Sequence, residues 1–278
     1  MVTESESSQA DSEFNVYDLG GELGSPNGHF GGKISTEQLF DLLQLERDKD
    51  LKILEVGCGA GHTSCYYAKK LGCHVTGVDI SEQMVESAKK RAKSQNLTNV
   101  DFRVASALDL PFKDNTFDVV IAESCTGVLP DRSRALQEYY RVLKVGGIFG
   151  DIDGFIMADA PPEIYEQICD LMGKTLRTTV KIPTLNDWNA FFEGIPLKDT
   201  QVITSQENVL HFRTLKALRQ AYGFFGFIKL IIKMLYYIVV IKEFRVWLKE
   251  MTQVTKTVFV KDGKKYRYMG YIIFKGKK

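Results

Sequence analysis

The five cysteines, Cys58, Cys65, Cys73, Cys125 and Cys169, are odd in number, form no C-x-x-C pair and join no His/Cys cluster. That excludes a disulfide framework and a structural zinc site as organising devices, and no metal is expected. Residues 1–13 contain no apolar run, so no secretory signal is read there, and a reduced cytoplasmic protein is expected. Met234 to Ile241 is apolar throughout, but these eight residues fall well short of the about 20 a bilayer span needs, and Lys229, Lys233 and Lys242 interrupt the surroundings. Net charge is also scarce, at +1, though it is unevenly spread. Glu4, Glu6, Asp11 and Glu13 stand without a base in residues 1–13, whereas the last third is basic. Such asymmetry permits an anionic partner without requiring one.

What the chain has is 44% apolar residues, enough for a substantial core, in a length of 278 that suits one large domain or a core with an appended cap. Its most informative stretch runs from Ile53 through Glu55, Gly57, Cys58 and Gly59 to Gly61. An apolar strand leads here into a glycine-dense turn, and the composition after it, Thr63 to Leu71, is helical. Unpaired backbone N–H groups and the helix dipole converge at such a turn, and glycines let main chain approach a ligand closely. Taken alone, the turn is also compatible with a tight connection of no further role. A dinucleotide fingerprint, G-x-G-x-x-G, would place its third glycine at position 62, which is His62. Glu55 stands where a nicotinamide site keeps an apolar residue, and a carboxylate there can hold a positively charged amine. The next strand, Val75 to Asp79, ends in an acid able to take both hydroxyls of a ribose. Ser81 then opens a helix as its N-cap, which brings Ile80 and Met84 close to where an adenine would lie.

These residues resemble the class I S-adenosylmethionine-dependent methyltransferases. The resemblance rests on Glu55 to Gly61, on Val78-Asp79-Ile80-Ser81 through Met84 and Ala88, on Leu110-Pro111-Phe112 with Phe117 to Val120, and on Arg141 to Gly147. It covers roughly Leu51 to Asp153 in the family's order. It implies a Rossmann-like seven-stranded, mostly parallel α/β sheet with an antiparallel last strand, and S-adenosyl-L-methionine as cofactor. Carried over, Gly57, Cys58, Gly59 and Gly61 line the cofactor, Glu55 contacts its ammonium and Asp79 its ribose. Ser106 stands where the family usually has an adenine-binding aspartate, with Ala107 beside it, so that contact should be weaker.

Ligands on parallel sheets collect beyond the carboxyl ends of the strands. The strand Phe117 to Ala122 delivers Glu123, Ser124 and Cys125 to that rim. Glu123 is a candidate for contact with cofactor or substrate, or else a solvated acid. Ser124 and Cys125 would face the substrate. No base neighbours Cys125 in the sequence, which favours a small wall residue over a reactive thiol. Tyr17 and His29 precede the core in a segment that folds over the cofactor in similar enzymes. His29 could serve as base or orienting group, or as a plain hydrogen-bonded loop residue.

Domain boundaries are expected at a disordered tail over 1–13, a lid and helix over 14–50, the cofactor core over 51–153, and cap helices with the last strands over 154–278. Ser35 and Gln38 form a capping-box pattern opening a helix to Leu45. Helices are expected over Ala160 to Thr178 and Thr184 to Phe192, then a strand over Lys198 to Ser205. Arg213 to Glu250 is helical in composition, with eight Lys/Arg against two Glu. Thr257 to Val260 and Tyr266 to Phe274 flank Asp262-Gly263 as a hairpin, and Lys198 to Ser205 with Tyr266 to Phe274 would close the sheet as an antiparallel pair. The segment 227–247 is read as a buried cap helix, a homodimer contact, or an interfacial helix meeting a membrane surface.

Methyl transfer to a small-molecule or amphiphilic acceptor is therefore expected. An RNA methyltransferase and a non-catalytic cofactor-binding subunit are the alternatives. Against nucleic acid, Ala122-Glu123-Ser124-Cys125 replaces the [DN]-P-P-[YF] of amino-directed base enzymes, no cysteine follows a proline, and no RNA-binding module is appended.

Overall fold

Strands β1 (Lys52–Val56) and β4 (Phe117–Glu123) are largely apolar and β2 (His74–Asp79) is buried from Val75 onward, as in strands covered on both faces. In the computed structural model, which describes residues 29–176, 179–206, 215–242, 244–246, 248–250, 252 and 268–278, they form the centre of a seven-stranded sheet. The remaining strands are β3 (Val100–Val104), β5 (Leu143–Ile156), β6 (Lys198–Ser205) and β7 (Met269–Lys277). The order is β3-β2-β1-β4-β5-β7-β6. Pairing is parallel from β3 to β5, and β7 runs antiparallel to both β5 and β6. The strand order reverses between β1 and β4, which is where an open α/β sheet leaves a crevice.

Alternate residues along each strand feed two separate cores. Ile53, Val75, Val119, Ile121 and Ile273 meet helices α1 (Gly32–Leu43), α2 (His62–Leu71) and α3 (Glu82–Ser94) on one face, together with α5 (Pro162–Leu176). Leu54, Val78, Val120, Phe149 and Phe274 meet α4 (Arg132–Val142) and α6 (Leu185–Glu193) on the other. A last helix, α7 (Leu215–Val240), lies between β6 and β7 in the chain.

Several boundaries differ from the sequence reading; the long helix expected to reach Glu250, for example, ends at Val240. The helix expected to open at Ser35 begins at Gly32, with Gly31 at φ 76° as N-cap and no side-chain cap. Ser35 lies within the first turn, where its hydroxyl donates back to the carbonyls of Phe30 and Gly32, so it builds no capping box with Gln38. The helix stops at Leu43 rather than Leu45, because Gln44 turns left-handed at φ 53°. Strand β7 runs on past Phe274 to Lys277, since Lys275 can follow the strand while its ammonium donates to the Leu42 carbonyl at 2.9 Å. The expected strand Thr257 to Val260, the Asp262-Gly263 turn, the tail over 1–13 and Tyr17 lie outside the described residues.

Helix α6 begins with a complete capping box between Thr184 and Asp187. It delivers Trp188, fully buried, whose indole N–H donates to the Gly154 carbonyl at 2.9 Å. Trp188 stacks on Phe192, and Phe192 stacks on Phe274 with centroids 3.7 Å apart. This aromatic column fastens α6 to β7. Trp188→Ala should cost about 3–5 kcal/mol, with the urea midpoint reporting it. A shift within the error of the midpoint would show that the column is dispensable.

Candidate functional site

The turn after β1 is fixed by one carbonyl: Val78 accepts from the N–H groups of both Gly57 and Cys58, at 2.8 and 2.9 Å. Gly57, Gly59 and Gly61 all have positive φ, at 73°, 49° and 75°. A Cβ at Gly57 would lie 2.5 Å from that of Cys125, and one at Gly61 would lie 2.7 Å from Ala88 and Phe102. At Gly59 a Cβ would meet nothing within 4 Å, so this residue faces outward. Gly61 is the N-cap of α2 and brings no side-chain cap, which leaves the first-turn N–H groups of that helix directed at the same rim.

Three acids end the central strands on one face of the sheet: Asp79 on β2, Glu55 on β1 and Glu123 on β4, all buried. Asp79 accepts from the Gly59 N–H at 2.8 Å through one oxygen and from the Ser81 N–H at 2.9 Å through the other. Glu55 accepts from the Ser64 hydroxyl. Burial holds its carboxyl well above the usual carboxylate range, and the charges of Glu123 and then Asp79 push the same way.

Glu123 is the most heavily contacted of the three. Its Oε2 accepts from the hydroxyls of Thr36 and Thr63, both at 2.9 Å, and lies 3.2 Å from His29 Nε2. Its buried Oε1 has no hydrogen-bond partner among the described residues, and neither has the buried Tyr67 hydroxyl. His29 Nε2 also lies 3.1 Å from the Thr36 oxygen, and Nδ1 lies 3.2 Å from the Phe30 carbonyl. With the Thr36 proton directed at Glu123, both ring nitrogens face oxygen atoms. The Phe30 N–H donates to Ser124 Oγ at 2.9 Å, so two adjacent residues before α1 are tied to the end of β4. Ser124 itself sits at φ 54°, a conformation uncommon outside glycine and enriched at working sites.

The structure thus brings His29, Glu123 and Ser124 into one contact network beside the glycine turn. Cys58 is buried in the turn, and burial raises its thiol, with Glu55 and Asp79 adding to the effect. Cys125 packs against Gly57, and burial pushes its thiol far up, which keeps it from acting as a thiolate. Ile80 is 74% exposed next to the buried Asp79, while Met84 is buried. Ser81 caps α3 as expected, accepting from the Met84 N–H at 3.3 Å. Ser106 Oγ accepts from the Leu108 N–H at 3.1 Å, and Ala107 is buried beside it.

Several residues escaped the sequence reading. Thr36, Thr63, Ser64 and Tyr67 surround the acids, and the only local signal was the Thr63-Ser64 pair directly after the glycine turn. On the opposite face, β5 buries Asp151 and Asp153. Asp151 accepts from the Thr126 hydroxyl at 2.7 Å, while Asp153 accepts from the N–H groups of Gly127 and Gly154 at 2.6 and 2.8 Å. Their spacing, two apart in an apolar strand, was a legible sign that both point the same way.

Residues 54–150, about a third of the chain, match a family model described as "Methyltransferase domain". An uncharacterized protein of Haemophilus influenzae is 30% identical over 204 residues, covering 72% of this chain and 78% of that protein. A demethylmenaquinone methyltransferase of Listeria welshimeri is 39% identical over 107 residues, covering 38% of this chain but only 45% of its own length. Among solved structures, the Haemonchus contortus phosphoethanolamine N-methyltransferase 2 complex with phosphomonomethylethanolamine and S-adenosylhomocysteine superposes with a TM-score of 0.69 at 16% identity. That match covers 94% of this chain and 57% of the other.

The Asp151/Asp153 pair has a consequence for stability. Burial raises both carboxyls, Asp153 to about 7, and Asp151 is raised further by the charge of Asp153. In the unfolded chain such groups ionise near 4, so the folded state holds more protons between about pH 4 and 7. The contribution of Asp153 to stability is complete below about pH 4 and is lost as pH rises through about 7, and that of Asp151 changes in the same direction. In Asp151→Asn, which keeps an acceptor for Thr126, the melting temperature should decline less between about pH 5 and 8 than in the parent. Parallel declines in the two proteins would mean that other groups titrate.

Proposed function

Because this chain belongs to the class I S-adenosylmethionine-dependent methyltransferases, we propose that it methylates a small-molecule or amphiphilic acceptor held above the ends of β4 and β5. The observation that carries this reading is the outward-facing Gly59 turn, flanked by the buried carboxylates of Asp79 and Glu55. Residues of this kind suit the cofactor: open main chain for close approach, acids for an ammonium and two ribose hydroxyls, and an exposed aliphatic side chain for a flat ring.

In this reading Glu55 holds the ammonium, while Gly57, Cys58, Gly59 and Gly61 line the adjoining chain. Asp79 accepts from the ribose hydroxyls, and Ile80, Met84, Ser106 and Ala107 surround the adenine. When bound, S-adenosylmethionine supplies an electrophilic methyl group on a sulfonium. The protein's part is chiefly to hold the acceptor close and in line, because such a displacement gains most from positioning. Ser124 and Cys125 form the wall on the acceptor side. His29 holds or takes a proton of the acceptor, with Glu123 as the residue that orients its ring. The core is placed at 51–153 and the acceptor side at 154–278. A relative named for demethylmenaquinone supports a quinone-like or otherwise amphiphilic acceptor.

Two measurements test the cofactor assignments. Gly59→Ala should fold with a loss of about 1–2 kcal/mol for its left-handed backbone, yet bind S-adenosylhomocysteine at least tenfold more weakly. Asp79→Ala should weaken binding by a similar or larger factor in titration calorimetry. Unchanged affinity in both, or tight binding of NADH by the parent, would refute the assignment. Acceptor identity follows from incubation with labelled cofactor and a cell extract, and from finding which metabolite or lipid carries the label.

Glu55 predicts a pH dependence with a definite sign. Burial raises its carboxyl, and only the ionised form pairs with an ammonium. Affinity for S-adenosylhomocysteine should therefore rise as pH climbs through that raised value and then level off, with protons released on binding. Glu55→Gln should bind weakly at every pH. A parent affinity that stays flat from about pH 5 to 8 would contradict the pairing.

A further inference from the structure

Among its described side chains, helix α7 buries one large apolar residue and exposes several others. Leu230 is buried, and beyond the helix Phe244 is buried as well. Outward, Phe224, Ile228, Ile232, Leu235, Tyr236 and Val239 are exposed, Val239 to 76%. These positions recur every three or four residues and so form one continuous stripe along the helix. Elsewhere among the described residues, large exposed apolar side chains are few and scattered, such as Ile80 and Val145. A continuous stripe of this size marks a contact surface.

The charges beside the stripe identify its occupant. Residues 215–242 contain no Asp or Glu and five bases: Lys216, Arg219, Lys229, Lys233 and Lys242. Lys229 and Lys242 are exposed at the edge of the apolar face, and Lys233 lies with its ammonium 5.7 Å over the Tyr237 ring. A second copy of the chain would bring lysines against lysines, with no acid in the segment to pair them. Anionic lipid headgroups supply that charge, and acyl chains accept the apolar stripe while the lysine stems reach back to the interface. Among the described residues no helix is long and apolar enough to cross a membrane, so this one would lie in the plane.

We propose that the outward face of α7 docks the protein onto an anionic lipid bilayer. The inference rests on the helix surface and not on the cofactor reading. Its consequence for that reading is that an amphiphilic acceptor reaches the enzyme from the bilayer.

The test is co-sedimentation of the full chain with phosphatidylcholine vesicles, with or without phosphatidylglycerol, at low and high salt. The chain should pellet with phosphatidylglycerol vesicles and be released by salt. Lys229→Gln and Lys233→Gln should each weaken binding roughly fivefold. The double variant Ile232→Glu/Val239→Glu should abolish binding while S-adenosylhomocysteine affinity and circular dichroism stay unchanged, since neither residue belongs to the cofactor site. Vesicle binding that the double variant retains would overturn the proposal, as would equal binding to neutral vesicles or a solution dimer that the double variant splits. Loss of S-adenosylhomocysteine affinity in Asp79→Ala is a separate result, so either reading can fail alone.

Discussion

One acceptor, the carbonyl of Val78, governs the geometry of the site. By taking the N–H groups of Gly57 and Cys58 together, it folds the chain after β1 back over the end of β2. The Gly59 N–H then falls on Asp79, and the adjoining glycines close onto Cys125, Ala88 and Phe102. Only left-handed backbone satisfies all of these contacts, so the packing at Gly57 and Gly61 and the outward exposure of Gly59 are parts of a single solution.

Burying three carboxylates beside one another is unfavourable unless each finds donors or a counter-charge. Asp79 finds main-chain N–H groups, Glu55 a hydroxyl, and Glu123 two hydroxyls and an imidazole. These differ in kind. Donors from the backbone hold Asp79 in place whatever else approaches, whereas Glu55, with a single hydroxyl and a raised carboxyl, remains the acid most responsive to an incoming cation. Glu123 links the segment before α1 to the sheet through His29, and α1 itself through Thr36, which makes the entrance of the site part of the same network.

Local patterns made the framework legible in the sequence. The apolar run, the turn glycines and Ser81 act within a few residues of themselves, and the structure has β1, the turn, α2 and the cap of α3 where they indicate. The shell around Glu123 was not legible, because Thr36 and Thr63 meet it across 87 and 60 residues of chain. Ser35 misled for a related reason: its composition fits a cap, but Gly31 reaches the required backbone first and leaves the serine inside the turn. For the acids of β5, alternation along the strand decides that Asp151 and Asp153 point the same way.

The placement of β7 bears on how the molecule is assembled. Among the described residues strand β6 pairs with β7 alone, and β7 comes more than sixty residues later in the chain, wedged between β5 and β6. Until it arrives, β5 and β6 each present an unsatisfied edge, of the sort that recruits foreign strands. The parallel half can collapse early around contacts between neighbouring elements, but the other half must wait for a distant segment to insert. The order of synthesis therefore completes the parallel half of the sheet before β7 can join the edges of β5 and β6.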